Sequence, residues 1–116
     1  MHELPIVENL LAIALEKAAE AGAARIVALD ITVGELCDGE PTWMERYFRL
    51  ASRGGPAAEA VLRFEREAAA AECGVCGARF EPSLRKKARI RCPGCGSDDC
   101  RLVGGLDYRL ERMEVV

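Results

Sequence analysis

Hydrophobic residues recur at helical spacing over residues 5–21, where Ile6, Val7, Leu10, Leu11, Ala14, Leu15 and Ala18 share one face. Pro5 suits the first turn of that helix and Gly22 the position just past its end. Glu8, Glu16, Lys17 and Glu20 fall mainly on the solvated side. The period then drops to two. Val27, Leu29, Ile31 and Val33 alternate within residues 25–33, and β-branched side chains dominate, which predicts a strand ended by Gly34. Ile26 and Ala28 make its other face partly apolar, so this strand is expected to be covered on both sides.

Residues 34–41 read as a loop. Pro41 opens a second helix to about Arg53, with Trp43, Met44, Tyr47, Phe48 and Ala51 inward, and Gly54-Gly55-Pro56 stops it. Residues 58–70 read as a second strand, with Ala60, Leu62 and Phe64 on one face and Glu59, Arg63, Glu65 and Glu67 mostly on the other. Residues 72–100 break both periods, their composition shifting to Gly, Cys and basic residues. Residues 102–115 read as a third strand, in which Leu106, Tyr108 and Leu110 alternate before Met113 and Val115 take the opposite phase. That phase change predicts a bulge near Arg112.

The order helix, strand, helix, strand, cysteine segment, strand predicts an α+β fold. Two helices lie on a three-stranded mixed sheet, and a four-cysteine zinc-ribbon module is inserted between the last two strands. Residues 1–71 with 101–116 then form one domain, and residues 72–100 form a second.

Composition narrows the class. The chain has 116 residues and a formal net charge of -3, which argues against a dedicated nucleic-acid binder. No apolar run is long enough to span a membrane. Met1-His2-Glu3-Leu4-Pro5 has neither the basic nor the apolar stretch of a secretion signal, so a cytoplasmic location is expected. No nucleophile–base set, P-loop or glycine-rich cofactor fingerprint is present, so no enzymatic turnover is expected. Nothing in the composition bars a homodimer.

Six cysteines in a cytoplasmic chain point to metal rather than disulfides. Cys73 and Cys76 are two residues apart, fifteen residues intervene, and Cys92 and Cys95 repeat the pair. Two thiolates from one tight turn can reach a single ion, and two such turns complete the tetrahedron that Zn(II) prefers. A module this small cannot fold on an apolar core, whereas a structural zinc site contributes on the order of 10–16 kcal/mol. Iron also accepts four thiolates, and Cys92-Pro93-Gly94-Cys95-Gly96 is similar to a rubredoxin turn, so an electron carrier is an alternative. Cys100 lies outside the paired spacing, and Cys37 reads as a small loop residue. The run Arg85-Lys86-Lys87-Ala88-Arg89-Ile90-Arg91 reads as a solvated connection; a nucleic-acid contact is its second reading.

The single histidine is His2. The amine of Met1, the backbone nitrogen of His2 and its imidazole can wrap one ion in fused chelate rings, and the backbone nitrogen of Glu3 can close a square. Planar nitrogen donors suit Ni(II) or Cu(II). The Glu3 carboxylate could orient the imidazole or simply favour the helix start by its charge. Glu35, Asp38 and Glu40 offer three carboxylates in the loop, either as an oxygen ligand or as solvated charges.

These pieces occur together in one order: Met1-His2-Glu3, Ile31-Thr32-Val33-Gly34-Glu35-Leu36, Arg91-Cys92-Pro93-Gly94-Cys95-Gly96, and the closing segment from Gly105 to Val116. In this the chain resembles the HypA (HybF) family over essentially its full length. The resemblance implies a nickel metallochaperone that delivers Ni(II) for [NiFe]-hydrogenase maturation. The implied partners are the GTPase HypB and the hydrogenase large subunit, with no nucleic acid and no membrane. It implies that His2, with the terminal nitrogens, is the nickel ligand, that Glu40 is the nearest loop carboxylate, and that Cys73, Cys76, Cys92 and Cys95 hold a structural zinc. Residues 1–71 with 101–116 are then nickel-binding and 72–100 zinc-binding. Some members carry histidines beside the knuckles and couple the two metals; this chain has none, so neither that coupling nor a role in urease maturation is implied.

Overall fold

The computed structural model describes residues 3–83 and 89–116. The elements run α1 (Glu3–Glu20), β1 (Ile26–Gly34), α2 (Pro41–Ala51), β2 (Val61–Glu67), β3 (Ala70–Cys73), β4 (Arg79–Phe80), β5 (Cys100–Gly104) and β6 (Tyr108–Val115). They form two compact units. One comprises the chain up to Val33, Asp38–Glu65 and Tyr108–Val116; the other comprises Gly34–Cys37 and Arg66–Asp107.

In the helix–sheet unit, α1 buries Ile6, Leu10, Ala14 and Ala18, one residue per turn, with Val7 beside them. It ends where Gly22 adopts φ 67°, a left-handed value that a side chain resists. There Ala23 N–H donates to Ala18 O at 2.9 Å and Gly22 N–H to Ala19 O at 3.1 Å, satisfying carbonyls the helix leaves open. α1 packs against α2 and β6. From α2 only Met44 and Phe48 are buried.

The sheet order is β2-β1-β6. β6 runs antiparallel to β1, from Ile26 opposite Val115 to Val33 opposite Tyr108. β2 runs parallel: Ile26 N–H meets Pro56 O at 3.0 Å, Asp30 meets Arg63 at 2.5 Å, and Glu35 N–H meets Glu67 O at 2.8 Å, so both strands advance together. The sheet is therefore mixed, with α2 in the crossover. β1 is the middle strand and buries Ile26, Ala28, Leu29, Ile31, Thr32 and Val33, so it is covered on both faces as its sequence predicts. Asp30 opposes Arg112 and Ile31 opposes Leu110, which leaves Glu111 as the extra residue of a bulge beside Arg112.

Three expectations need correction. Residues 102–115 are not one strand. Gly105 takes φ 75°, and a Cβ there would meet Ala69 Cα at 2.7 Å, so the chain turns. β5 on one side of that turn pairs with β3, while β6 on the other pairs with β1. Residues 58–70 likewise contain β2 and the start of β3, not one strand. Finally, Trp43 and Ala51 are exposed rather than inward, because the apolar arc of α2 is wider than the arc it buries.

The cysteine unit holds an antiparallel sheet of order β4-β3-β5. Residues 34–37 are clasped to it. Glu35 carboxylate accepts from Ala69 N–H at 2.8 Å, Leu36 N–H donates to Gly105 O at 2.8 Å, and Glu67 carboxylate accepts from Gly105 N–H at 3.2 Å.

Candidate metal centre

The two cysteine pairs sit on two turns with matching backbone bonds. In the first, Cys73 N–H donates to Ala78 O at 2.9 Å and Gly77 N–H to Cys73 O at 3.0 Å. In the second, Cys92 N–H donates to Ser97 O at 2.9 Å and Gly96 N–H to Cys92 O at 2.9 Å. Gly77 and Gly96 both adopt φ 75°, the conformation that lets each turn close behind its second cysteine. Each turn also aims N–H groups at sulfur: Val75 and Cys76 N–H donate to Cys73 Sγ at 3.3 and 3.4 Å.

The turns bring the four thiols together. Cys73 and Cys95 sulfurs are 3.5 Å apart, as are those of Cys76 and Cys92, and all four lie within 4.8 Å of one another. Zinc–sulfur bonds of about 2.3 Å at tetrahedral angles require sulfurs about 3.8 Å apart, so the cluster fits that ion with small adjustment. All six cysteines are free thiols. Cys73 and Cys92 are buried and Cys76 and Cys95 exposed, one of each from either turn.

The electrostatics follow the geometry. The N–H groups of Cys76 and Val75 pull the Cys73 thiol down to about 6. Those of Cys95 and Gly94 lower Cys92 in the same way. Cys95 moves the other way, to about 12; the Ser97 N–H favours its thiolate, but the Cys73 sulfur, burial, and the Cys92 and Cys76 sulfurs outweigh it. Cys76 is also raised, the Ala78 N–H being outweighed by Cys92, Cys73 and burial. Four crowded sulfurs cannot all shed their protons without a cation between them, and a divalent ion supplies it.

The remaining predicted residues are placed as follows. Cys100 lies opposite Cys73 in the β3–β5 register, but its thiol turns to Ser97 O at 3.5 Å and stays out of the cluster; burial, then Cys73, raises it. Cys37 is half-buried in the 34–37 segment. Arg89 meets Asp98 at 3.6 Å in a solvated pair; Arg85, Lys86, Lys87 and Ala88 lie outside the described residues, as do Met1 and His2. Glu3 opens α1. Glu40 caps α2, its Oε2 accepting from Thr42 N–H at 3.0 Å and Trp43 N–H at 3.3 Å. Its Oε1 makes no hydrogen bond among the described residues. Glu35, another loop carboxylate, is committed to the clasp on Ala69. The stacked aromatic pair on α2, exposed Trp43 and half-buried Tyr47, was missed by sequence reading; the breadth of its apolar arc was the available signal.

Fold and site together define a two-part metal-binding protein, an α+β unit joined to a four-thiolate ribbon. The chain belongs to the HypA family, whose profile, described as hydrogenase/urease nickel incorporation metallochaperone, matches residues 1–115. Its members are metallochaperones in hydrogenase maturation, not enzymes. Hydrogenase maturation factor HypA of Pelodictyon phaeoclathratiforme is 32% identical over 115 residues, covering 99% of this chain and 96% of its own. That of Geobacter sulfurreducens is 34% identical, covering 99% of both. The solution structure of the Ni metallochaperone HypA from Helicobacter pylori has the same fold, with a TM-score of 0.73 at 24% identity over 100% of this chain and 98% of that one. No helix among the described residues is long and apolar enough to cross a membrane.

Proposed function

We propose that the protein carries Ni(II) as cargo on an open chelate at its amino terminus and holds Zn(II) as a fixed structural ion. The nickel ligands are the amine of Met1, the backbone nitrogen and imidazole of His2, and the backbone nitrogen of Glu3. Glu40 is the loop carboxylate assigned to join them; its Oε2 caps α2, and its Oε1 makes no hydrogen bond among the described residues, which leaves that oxygen available as a ligand. Cys73, Cys76, Cys92 and Cys95 hold the zinc, which supplies the positive charge their thiolates need. The nickel is destined for the [NiFe]-hydrogenase large subunit, handed over with the GTPase HypB, in the cytoplasm.

The observation that carries this reading is the match to the family along residues 1–115, the opening Met1-His2-Glu3 included. The chemistry supports it. A cargo ion needs few, labile donors near solvent, and a structural ion needs a closed cage. Metal analysis and nickel titration of the native-start protein and of His2→Ala test it. The native chain is expected to bind one nickel and one zinc; His2→Ala should lose the nickel and keep the zinc. Equal nickel affinity in His2→Ala would refute the assignment. A visible iron–thiolate band in the purified protein would refute the zinc.

A further inference from the structure

Helix α2 buries only Met44 and Phe48, and its solvent side carries large apolar residues among the polar ones. Trp43 is 48% and Leu50 59% exposed. Positions 43, 47 and 50 follow helical spacing and line one side over about 10 Å. The Trp43 ring stacks on Tyr47, with centroids 6.2 Å apart and planes 29° from parallel. The Arg46 guanidinium lies 5.1 Å from the centre of the Trp43 ring. Trp43 and Tyr47 are thus held against each other, with Arg46 over the Trp43 ring, before anything binds.

The charges beside the ridge are uneven. Arg49 is occupied, pairing with Glu45 at 3.6 Å and donating to Ala58 O at 3.4 Å. Arg46 lies on the helix beside the ridge and Arg53 is exposed two residues past its end, and neither has an acidic partner among the described residues. An unpaired basic flank stands out on a chain whose formal net charge is -3. Tryptophan, tyrosine and arginine are also the residues that contribute most where proteins meet.

We propose that the Trp43–Tyr47–Leu50 ridge of α2, flanked by Arg46 and Arg53, is a docking surface for an acidic amphipathic helix of a partner protein. The ridge offers anchors at the i, i+4, i+7 spacing that helix-to-helix recognition uses. The two arginines would pair with Glu or Asp beside the incoming apolar stripe. A nucleic-acid strand or an anionic bilayer fits less well, since two cations are too few to hold a row of phosphates on an acidic chain. The ridge starts one turn after Glu40, but docking is read without nickel, so it stands or falls independently of the metal assignment.

The test uses the full-length, zinc-loaded chain and two fluorescein-labelled helical peptides. Both carry the same leucine stripe; one is flanked by Glu and the other by Lys. Trp43 is the only tryptophan, so its emission reports directly on the ridge. The Glu peptide is expected to bind about tenfold or more tightly than the Lys peptide and to shift Trp43 emission to the blue. Trp43→Ala should weaken the Glu peptide about tenfold or more, read by anisotropy. The double variant Arg46→Glu, Arg53→Glu should invert the preference; if it fails to retain zinc, Trp43→Ala alone decides. Equal or absent binding of the two peptides overturns the proposal. So does a stronger response to oligothymidine or to phosphatidylglycerol vesicles, or a peptide-free emission shift with protein concentration, which would mark self-association.

Discussion

The two units solve the same problem, holding a chain in one shape, by different means. The helix–sheet unit buries Phe48, Leu10, Ile26, Leu29, Ile31 and Met44, large side chains drawn from both helices and the middle strand. Among the described residues of the cysteine unit, no apolar residue larger than cysteine is buried; Ala69, Ala71, Cys73 and Cys92 fill that role. Phe80, Leu102 and Val103 are only half-buried, and Val75 is 68% exposed. An apolar core spreads its stabilisation over many contacts and tolerates the loss of one. A unit without such a core depends on a few strong bonds, here backbone bonds within the turns and the thiolates around one cation. The difference teaches that the four clustered cysteines are structural for one unit only.

Metal removal should show the largest effect. A strong chelator, or Cys73→Ser, is expected to remove on the order of 10 kcal/mol from the cysteine unit and unfold it. Hydrogen exchange should then quicken in β3 and β5 while α1 and β1 stay protected; equal loss in both would erase the distinction. Acid should act the same way. Cys73 has a depressed folded-state value of about 6, so its thiolate stabilisation is whole above the ordinary thiol range and lost as pH falls through about 6. Zinc release, followed with a coloured chelator, is expected to rise as pH falls, because protons compete with the ion for the four thiolates.

The complementary break is Phe48→Ala. It removes a ring 1% exposed in the core of the helix–sheet unit, at an expected cost of about 3–5 kcal/mol. Thermal melting should fall while zinc content stays at one per chain. Zinc loss in that variant would mean that the two units do not fold separately.

Glu40 gives the smallest and most discriminating effect. Glu40→Ala removes the acceptor from Thr42 and Trp43 N–H and is expected to cost about 1 kcal/mol through fraying of α2. Glu40→Gln keeps an acceptor oxygen and should recover much of that stability. If Glu40 also ligates nickel, Gln will not restore nickel affinity; full recovery of both would reduce Glu40 to a cap.

Legibility in the sequence followed the same division. Where an apolar period existed, it was informative. β1 alternates and is covered on both faces, and the phase change after Leu110 located the bulge beside Arg112. Periodicity could not show that the chain changes sheets at Gly105, because Leu102 and Leu106 continue the pattern across the turn while the cause is a left-handed φ against Ala69. Nor could it separate Trp43 from Met44, adjacent on the helix but on opposite sides of the boundary between core and solvent. The four thiols were legible from spacing alone, since a two-residue gap leaves a tight turn little choice. That Glu35 is spent on Ala69 and that Oε2 of Glu40 caps α2 depended on folded geometry that no local pattern encodes.

The central claim is that two metals occupy two chemically different sets of donors. X-ray absorption at the nickel and zinc edges of one sample, the native-start protein loaded with one equivalent of Ni(II), tests it most directly. Zinc should see four sulfurs at about 2.3 Å, and nickel should see nitrogen and oxygen only. Sulfur neighbours at nickel, or fewer than four at zinc, would contradict it.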